Sequence, residues 1–233
     1  MTLHQTRSDL VPDRLAEAAF YAVLRRIAPV LHHDVAGFMQ PVGMLLMVLQ
    51  RRVQMPEPDL QMIAKNVASV SALAKEATGG CMNAMGWIAA REDAAVSLRS
   101  CVNEAAKLLA MELSAQGLDI GNTIPSDAVA IPQSFFQSVL MGALMAFCDQ
   151  RMAGSTLQVS LDVDAGGNIA AHRLMLRMLP GDAPETPGVT DSKAMGRPPR
   201  RIDWADVKAM ADSFGVAMEL GDGYLALGLP KTS

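Results

Sequence analysis

A regular spacing of apolar residues constrains this chain more than any other feature of its sequence. From about residue 20 to residue 53, apolar residues recur at alternating intervals of four and three, which is typical of one helix packed along another. The longest apolar run, from Val42 to Leu49, is too short to span a bilayer. We predict a long helix over residues 13–53. Its apolar stripe consists of Leu24, Ala28, Leu31, Val35, Phe38, Val42, Leu45 and Leu49.

A second stripe of the same kind follows a turn at residues 54–59. It predicts a second helix that begins at Pro58 or Asp59. Two helices joined by about five residues form an antiparallel hairpin. A lone hairpin cannot bury both stripes, so we predict a homodimer in which two hairpins form a four-helix bundle. The second stripe consists of Leu60, Ile63, Val67, Val70, Ala74, Ala77, Cys81 and Ala84.

The face of the first helix opposite its stripe carries several polar residues. At about 100° per residue, His33 points away from the stripe, and Arg26 and Gln40 lie on the same outer face. Asp34 lies nearer to the stripe, and His32 lies on its flank. A helix that buries its apolar stripe therefore exposes His33 to solvent.

From about residue 94 the pattern changes to short strands alternating with helices. The chain is accordingly predicted to be α+β, with a helical hairpin over residues 13–92 followed by an α/β sandwich over residues 93–233. A Gly-rich turn at residues 165–168 is expected to join two strands as a hairpin, and residues 180–201 are expected to form a loop. Helices are predicted over 99–116, 132–151 and 203–214, and strands over 96–98, 118–124, 129–131, 157–163, 169–179, 216–220 and 224–229.

These patterns together resemble the two-component sensor histidine kinases. His33-Asp34, followed by Gln40-Pro41, is similar to the phosphoacceptor helix of that family, although Gly37 stands where many members have Asn or Thr. The order of elements after residue 93 is similar to the family's ATP-binding domain, which the segments SLRSCVNEAAKLLAMELSAQGLDI and GDGYLALGLP also resemble. The resemblance implies that His33 accepts a phosphoryl group from receiver domains of response regulators. Asp34 is the candidate for orienting the ring, with a solvated helix charge as the alternative. Arg26 and Gln40 are candidates for steadying the phosphoryl oxygens, with plain surface residues as the alternative.

The features with which that family binds ATP are missing from the sequence. Gly142 and Ala146 stand where the resemblance places two asparagines that hold magnesium and phosphate. No Asp-x-Gly-x-Gly follows the strand that ends near Leu179. Asp203 and Asp206 stand where a glycine-rich segment would cradle phosphate, and two acids there would repel a triphosphate. We therefore predict no ATP binding and no cofactor, since the partner receiver supplies the magnesium ion.

Composition and charge narrow the classes of partner and location. The formal net charge of −4 gives no reason to expect nucleic acid or an anionic membrane as partner. The N-terminal residues lack the apolar core of a signal peptide. Cys81, Cys101 and Cys148 are far apart and lie among apolar residues, which favours buried free thiols and a cytoplasmic location.

The leading hypothesis is a histidine phosphotransferase of the ChpT type, which passes phosphoryl groups between receiver domains through His33 without ATP. A second hypothesis is a non-catalytic dimeric module that binds or sequesters a response regulator, with His33 incidental. A third is an active sensor histidine kinase with divergent nucleotide motifs. The sequence favours a phosphotransferase over an ATP-dependent kinase, and it leaves open whether the chain is an enzyme. His32 is the rival phosphoacceptor.

Overall fold

The structure is a computed structural model that describes residues 3–88, 94–126, 129–150, 155–163, 169–180 and 200–230. The helices are α1 (Leu3–Val53), α2 (Leu60–Ile88), α3 (Leu98–Leu108), α4 (Ala110–Gln116), α5 (Gln133–Phe135), α6 (Met141–Asp149) and α7 (Trp204–Ser213). The strands are β1 (Ala95–Ser97), β2 (Asp119–Asn122), β3 (Ala130–Pro132), β4 (Ser155–Val163), β5 (Ile169–Pro180), β6 (Met218–Gly221) and β7 (Tyr224–Gly228).

Helix α1 follows the predicted apolar stripe from Leu31 onward, but Ala28 of that stripe is exposed, because the buried face before it runs through Val23 and Ile27. It begins at Leu3 rather than at residue 13, and it continues through Pro29 and Pro41 to Val53. Between residues 31 and 49 only the six residues of the predicted stripe are half-buried, and all the remaining side chains are exposed. This part of the stripe is therefore confirmed as the face that packs inward. The half-buried residues there are Leu31, Val35, Phe38, Val42, Leu45 and Leu49.

Helix α2 starts where the sequence predicts. Asp59 caps it, because its Oδ1 accepts the backbone N–H of Met62 at 3.0 Å and its carbonyl oxygen accepts the N–H of Ile63 at 3.0 Å. Its inward face differs from prediction at two positions, since Leu60 and Val67 of the predicted stripe are exposed. The hairpin alone therefore leaves apolar surface uncovered.

The chain divides into two compact units. One unit comprises Ile27–Arg91, and the other comprises Met1–Arg26 together with Glu92–Ser233. The sequence pattern predicts that all of residues 13–92 belong to the hairpin. The first part of α1 groups instead with the α/β part of the chain, and its residues Ala19 and Val23 are fully buried.

The second unit is built on a mixed five-stranded sheet with the order β2-β4-β5-β7-β6. Strands β2 and β4 are parallel, and the other neighbours are antiparallel. Strands β1 and β3 form a separate antiparallel pair. Alternate residues are buried from 155 to 161 in β4 and from 174 to 178 in β5, so this part of the sheet has one face against the core. The α+β class, a helical hairpin followed by a mixed α/β domain, is thereby confirmed. The two-copy bundle stays a prediction.

Two predicted helices are less regular than their sequences suggest. The helix predicted over 99–116 is broken at Leu109 into α3 and α4, and Gly117 ends it in a left-handed conformation at φ 64°. The helix predicted over 132–151 contains a π-helical turn at Phe136–Leu140. The predicted turn at 165–168 and residues 181–199 of the predicted loop lie outside the described residues.

The cysteines agree with their predicted character in two cases. Cys101 and Cys148 are buried, and burial raises the pKa of each thiol to about 12, so both are protonated at neutral pH. Cys81 is half-buried. Over the described ranges, no helix is long and apolar enough to cross a membrane.

Candidate functional site

His33 stands in open solvent on the hairpin unit. Its side chain is 87% exposed, and that of Asp34 is 53% exposed. His33 Nδ1 lies 3.5 Å from Asp34 Oδ1, which is the outer limit of a hydrogen bond. When Nδ1 carries the proton and faces this carboxylate, the lone pair of Nε2 points away from it and is accessible to a reactant.

The helix face beyond His33 is open as well. Gln40 follows His33 by seven residues, which is about two turns, so the two side chains share one face about 10 Å apart along the axis. Gln40 is exposed, and a Cβ built on Gly37 between them would have no atom within 4 Å. His32 is also exposed. Burial therefore does not separate His33 from its rival.

Arg26 does not share the exposure of His33, and the prediction that it lies on an open face is wrong. Its side chain is 7% exposed. Nε lies 3.0 and 2.9 Å from the two carboxylate oxygens of Glu112, one terminal nitrogen lies 2.6 Å from Glu112, and the other lies 2.6 Å from Asp149. Asp149 also accepts the backbone N–H of Ile202 at 3.1 Å. All three guanidinium nitrogens are thus occupied within the α/β unit.

The electrostatics of this cluster favour a permanent charge on the arginine. Burial acts to lower the pKa of Arg26, but hydrogen bonds to Glu112 and Asp149 and the charges of both carboxylates outweigh it and raise the pKa. Sequence reasoning missed the cluster because its carboxylates are 86 and 123 residues away along the chain. No local pattern distinguishes Arg26 from its exposed neighbour Arg25.

Helix α6, on which the resemblance would place two metal-binding asparagines, is tightly packed. Gly142 and Ala146 are both buried in α6. A Cβ on Gly142 would overlap the terminal methyl group of Met210, which reaches it from α7. Neither residue offers a side-chain oxygen. Within the part of the chain that the structure describes, no three His, Cys, Asp or Glu side chains are grouped to hold a metal ion.

The start of α7 is filled by the chain's own carboxylates. Asp203 accepts the backbone N–H of Asp206 at 2.9 Å, and Asp206 accepts that of Asp203 at 3.2 Å, which forms a capping box. The Asp206 side chain is 1% exposed and pairs with the guanidinium of Arg200. Trp204 packs edge-to-face on Phe147, with ring centroids 4.9 Å apart. Negative charge therefore occupies the helix end at which a phosphate would otherwise be attracted.

No protein-family model matches the chain, and no curated protein matches it either. Solved structures of histidine kinases match at low identity. The cytoplasmic segment of the histidine kinase QseC is 13% identical to this chain, with a TM-score of 0.41. The match covers 61% of this chain and 80% of the QseC segment. The histidine kinase AdeS of Acinetobacter baumannii is 14% identical, with a TM-score of 0.39, and the match covers 81% of this chain and 96% of AdeS. The histidine kinase ThkA, solved in complex with the response regulator protein TrrA, is 12% identical, with a TM-score of 0.40. The match covers 100% of this chain and 68% of ThkA. At these scores the likeness supports no inference about activity.

Proposed function

We propose that this chain is a histidine phosphotransferase that relays phosphoryl groups between receiver domains through His33. The observation that carries the proposal is the placement of His33, which is 87% exposed on a continuous helix with its Nδ1 turned towards a carboxylate. An imidazole so placed is a nucleophile with an oriented ring. A receiver domain carries its phosphoryl group on an aspartate, so a carboxyl phosphate is the substrate we infer.

The transfer balances without a nucleotide. The lone pair of His33 Nε2 attacks phosphorus, an N–P bond forms, and the P–O bond to the receiver's carboxylate breaks and releases that carboxylate. The phosphorylated ring keeps its proton on Nδ1 and carries a positive charge, which Asp34 stabilises. Magnesium held by the receiver neutralises the phosphoryl oxygens. The reverse step on a second receiver regenerates neutral His33.

The α/β unit supports a relay rather than a kinase. By the resemblance, Gly142 and Ala146 replace the asparagines that would bind magnesium, and the helix end near the phosphates carries Asp203 and Asp206 instead of free N–H groups. Arg200 is already paired with Asp206. A nucleotide would have to displace this ion pair and accept uncompensated carboxylates beside its own charge, which opposes binding.

Labelling with ATP tests this proposal against the kinase alternative. We expect no label on the protein after incubation with γ-labelled ATP and magnesium, and no heat of binding when ATP is titrated into it. A histidine kinase of known activity serves as the positive control. Acid-labile label on this chain, lost when His33 is replaced, would make it a kinase.

The hairpin also supports a homodimer. Met39, Leu46 and Val53 are exposed and recur every seven residues on α1. Leu60, Val67 and Met85 are exposed on α2 and are separated by about two and five whole turns. On each helix these exposed residues lie roughly a quarter-turn round the axis from the half-buried residues that face the other helix. The rotation has the same direction on both helices, so both exposed sets face one side of the antiparallel hairpin. Heptad spacing suits packing against further helices, and we propose that a second copy supplies them.

A charge within this surface should separate the two copies. Val67→Glu places a carboxylate in the apolar stripe of α2, whereas Ser69→Glu adds the same charge to an exposed residue on the other side of the helix. We expect Val67→Glu to raise the dimer dissociation constant at least about tenfold by sedimentation equilibrium, because the charge must be desolvated. Ser69→Glu should leave it unchanged. Equal effects of the two variants would argue against this interface.

A further inference from the structure

Inside the hairpin, the side chain of Phe38 on α1 lies against the backbone of Gly80 on α2. Phe38 belongs to the half-buried seam of α1, one turn beyond Asp34 and five residues beyond His33. A Cβ built on Gly80 of α2 would overlap the Phe38 ring at Cδ2 and Cε2, and would crowd Cγ at 3.1 Å. Three atoms of one rigid ring are involved, so the ring as a whole rests on the α2 backbone. Only glycine at residue 80 permits this approach.

The neighbouring glycine shows that this contact is particular to one position. A Cβ on Gly79 would meet nothing within 4 Å, and the same holds for Gly43 on α1. Glycine inside a helix is less favourable than alanine. At Gly80 the Phe38 ring occupies the space that an added Cβ would need, whereas that space is open at Gly79. Alanine at Gly79 changes helix propensity alone, whereas alanine at Gly80 changes both helix propensity and the packing of Phe38. Comparing the two substitutions therefore separates the two effects.

We propose that Phe38 and Gly80 are positioning residues for phosphotransfer, which fix the height and rotation of α1 against α2 beside the phosphoacceptor. The proposal rests on the proposed role of His33. When the ring leaves its seat, α1 shifts or turns, and with it the direction in which His33 and Asp34 meet a receiver. The effect reaches His33 through the helix, without a direct contact.

The test compares Gly80→Ala with the matched control Gly79→Ala. Both gain helix propensity, but only Gly80→Ala unseats the ring. With any receiver that labels the wild type after treatment with acetyl phosphate, we expect Gly80→Ala to lower kcat/KM for transfer about tenfold and Gly79→Ala to stay within twofold. Adding Phe38→Leu to Gly80→Ala removes the overlap and should recover part of the loss. Equal kcat/KM values for the two alanine variants would overturn the proposal.

A second measurement needs no receiver and separates this inference from the function itself. The Cε1–H resonance of His33 in a proton–carbon correlation spectrum, assigned by its loss in His33→Gln, should move in Gly80→Ala and not in Gly79→Ala. If Gly80→Ala fails to fold, Phe38→Leu alone should move the same resonance. A resonance that responds equally to both glycine positions would refute the positioning role, even if transfer through His33 is demonstrated. A selective shift without any transfer would refute the phosphotransferase alone.

Discussion

His33→Gln is expected to abolish phosphoryl uptake from a phosphorylated receiver, with a loss of more than about a thousandfold in rate. Glutamine keeps a polar side chain that hydrogen-bonds, but its amide nitrogen has no lone pair free to attack phosphorus. Since the His33 side chain is 87% exposed and has Asp34 as its sole described hydrogen-bond neighbour, the change should leave folding intact. The measurement is acid-labile label on the protein at short times, with a circular dichroism melt beside it.

His32→Gln is the matched control for this prediction. His32 is exposed on the same turn, so the substitution removes a second exposed imidazole from the same part of the helix. We expect uptake within twofold of the wild type. Loss of label in His32→Gln, with label retained in His33→Gln, would reassign the phosphoacceptor to His32 and remove the role given to Asp34.

Arg26→Met is expected to lower the free energy of unfolding of the α/β unit by roughly 3 kcal/mol. Methionine keeps much of the buried stem but leaves Glu112 and Asp149 facing each other without a cation, and removing one member of a buried ion pair strands the other. The figure is at the lower end of the usual range because the Glu112 side chain is 33% exposed and solvent relieves part of its charge. Urea denaturation in a Trp87→Phe background, followed by the fluorescence of Trp204, which lies in this unit, measures the change.

Arg25→Met provides the comparison for this substitution. Arg25 is exposed, so its loss should alter the unfolding free energy by no more than about 0.5 kcal/mol. If Arg26→Met and Arg25→Met were equally mild, the cluster would be a surface feature without energetic weight. If Arg26→Met instead abolished phosphoryl uptake without loss of stability, Arg26 would belong to the phosphoacceptor site after all.

The hairpin could be predicted from the sequence because its signal is local. Helical periodicity fixes which side chains share a face, so the half-buried residues from Leu31 to Leu49 follow the predicted stripe, and the exposure of His33 follows from the same periodicity. Asp59 and Gly117 were likewise predictable as helix ends, since capping depends on one residue and its neighbours.

The parts that escaped prediction depend on residues distant in sequence. The burial of Arg26 requires Glu112 and Asp149, which only the fold brings to it. The exposure of Val67 depends on which side of α2 faces α1. The apolar stripe of α2 is wider than the surface that contacts α1, so the sequence does not show which of its residues stay exposed. The seat of Phe38 on Gly80 depends on the register between the two helices, which neither helix encodes alone.

Phosphotransfer through His33 is measured most directly as a relay between two receiver domains in the absence of ATP. A labelled phosphoryl group is placed on one receiver domain, a second receiver is added, and a catalytic amount of this protein is introduced, with receivers drawn from a panel. We expect label to leave the first receiver, to pass through acid-labile label on His33, and to appear on the second receiver. Receivers that bind the protein while their label stays in place would contradict this expectation, and would leave a module that sequesters regulators.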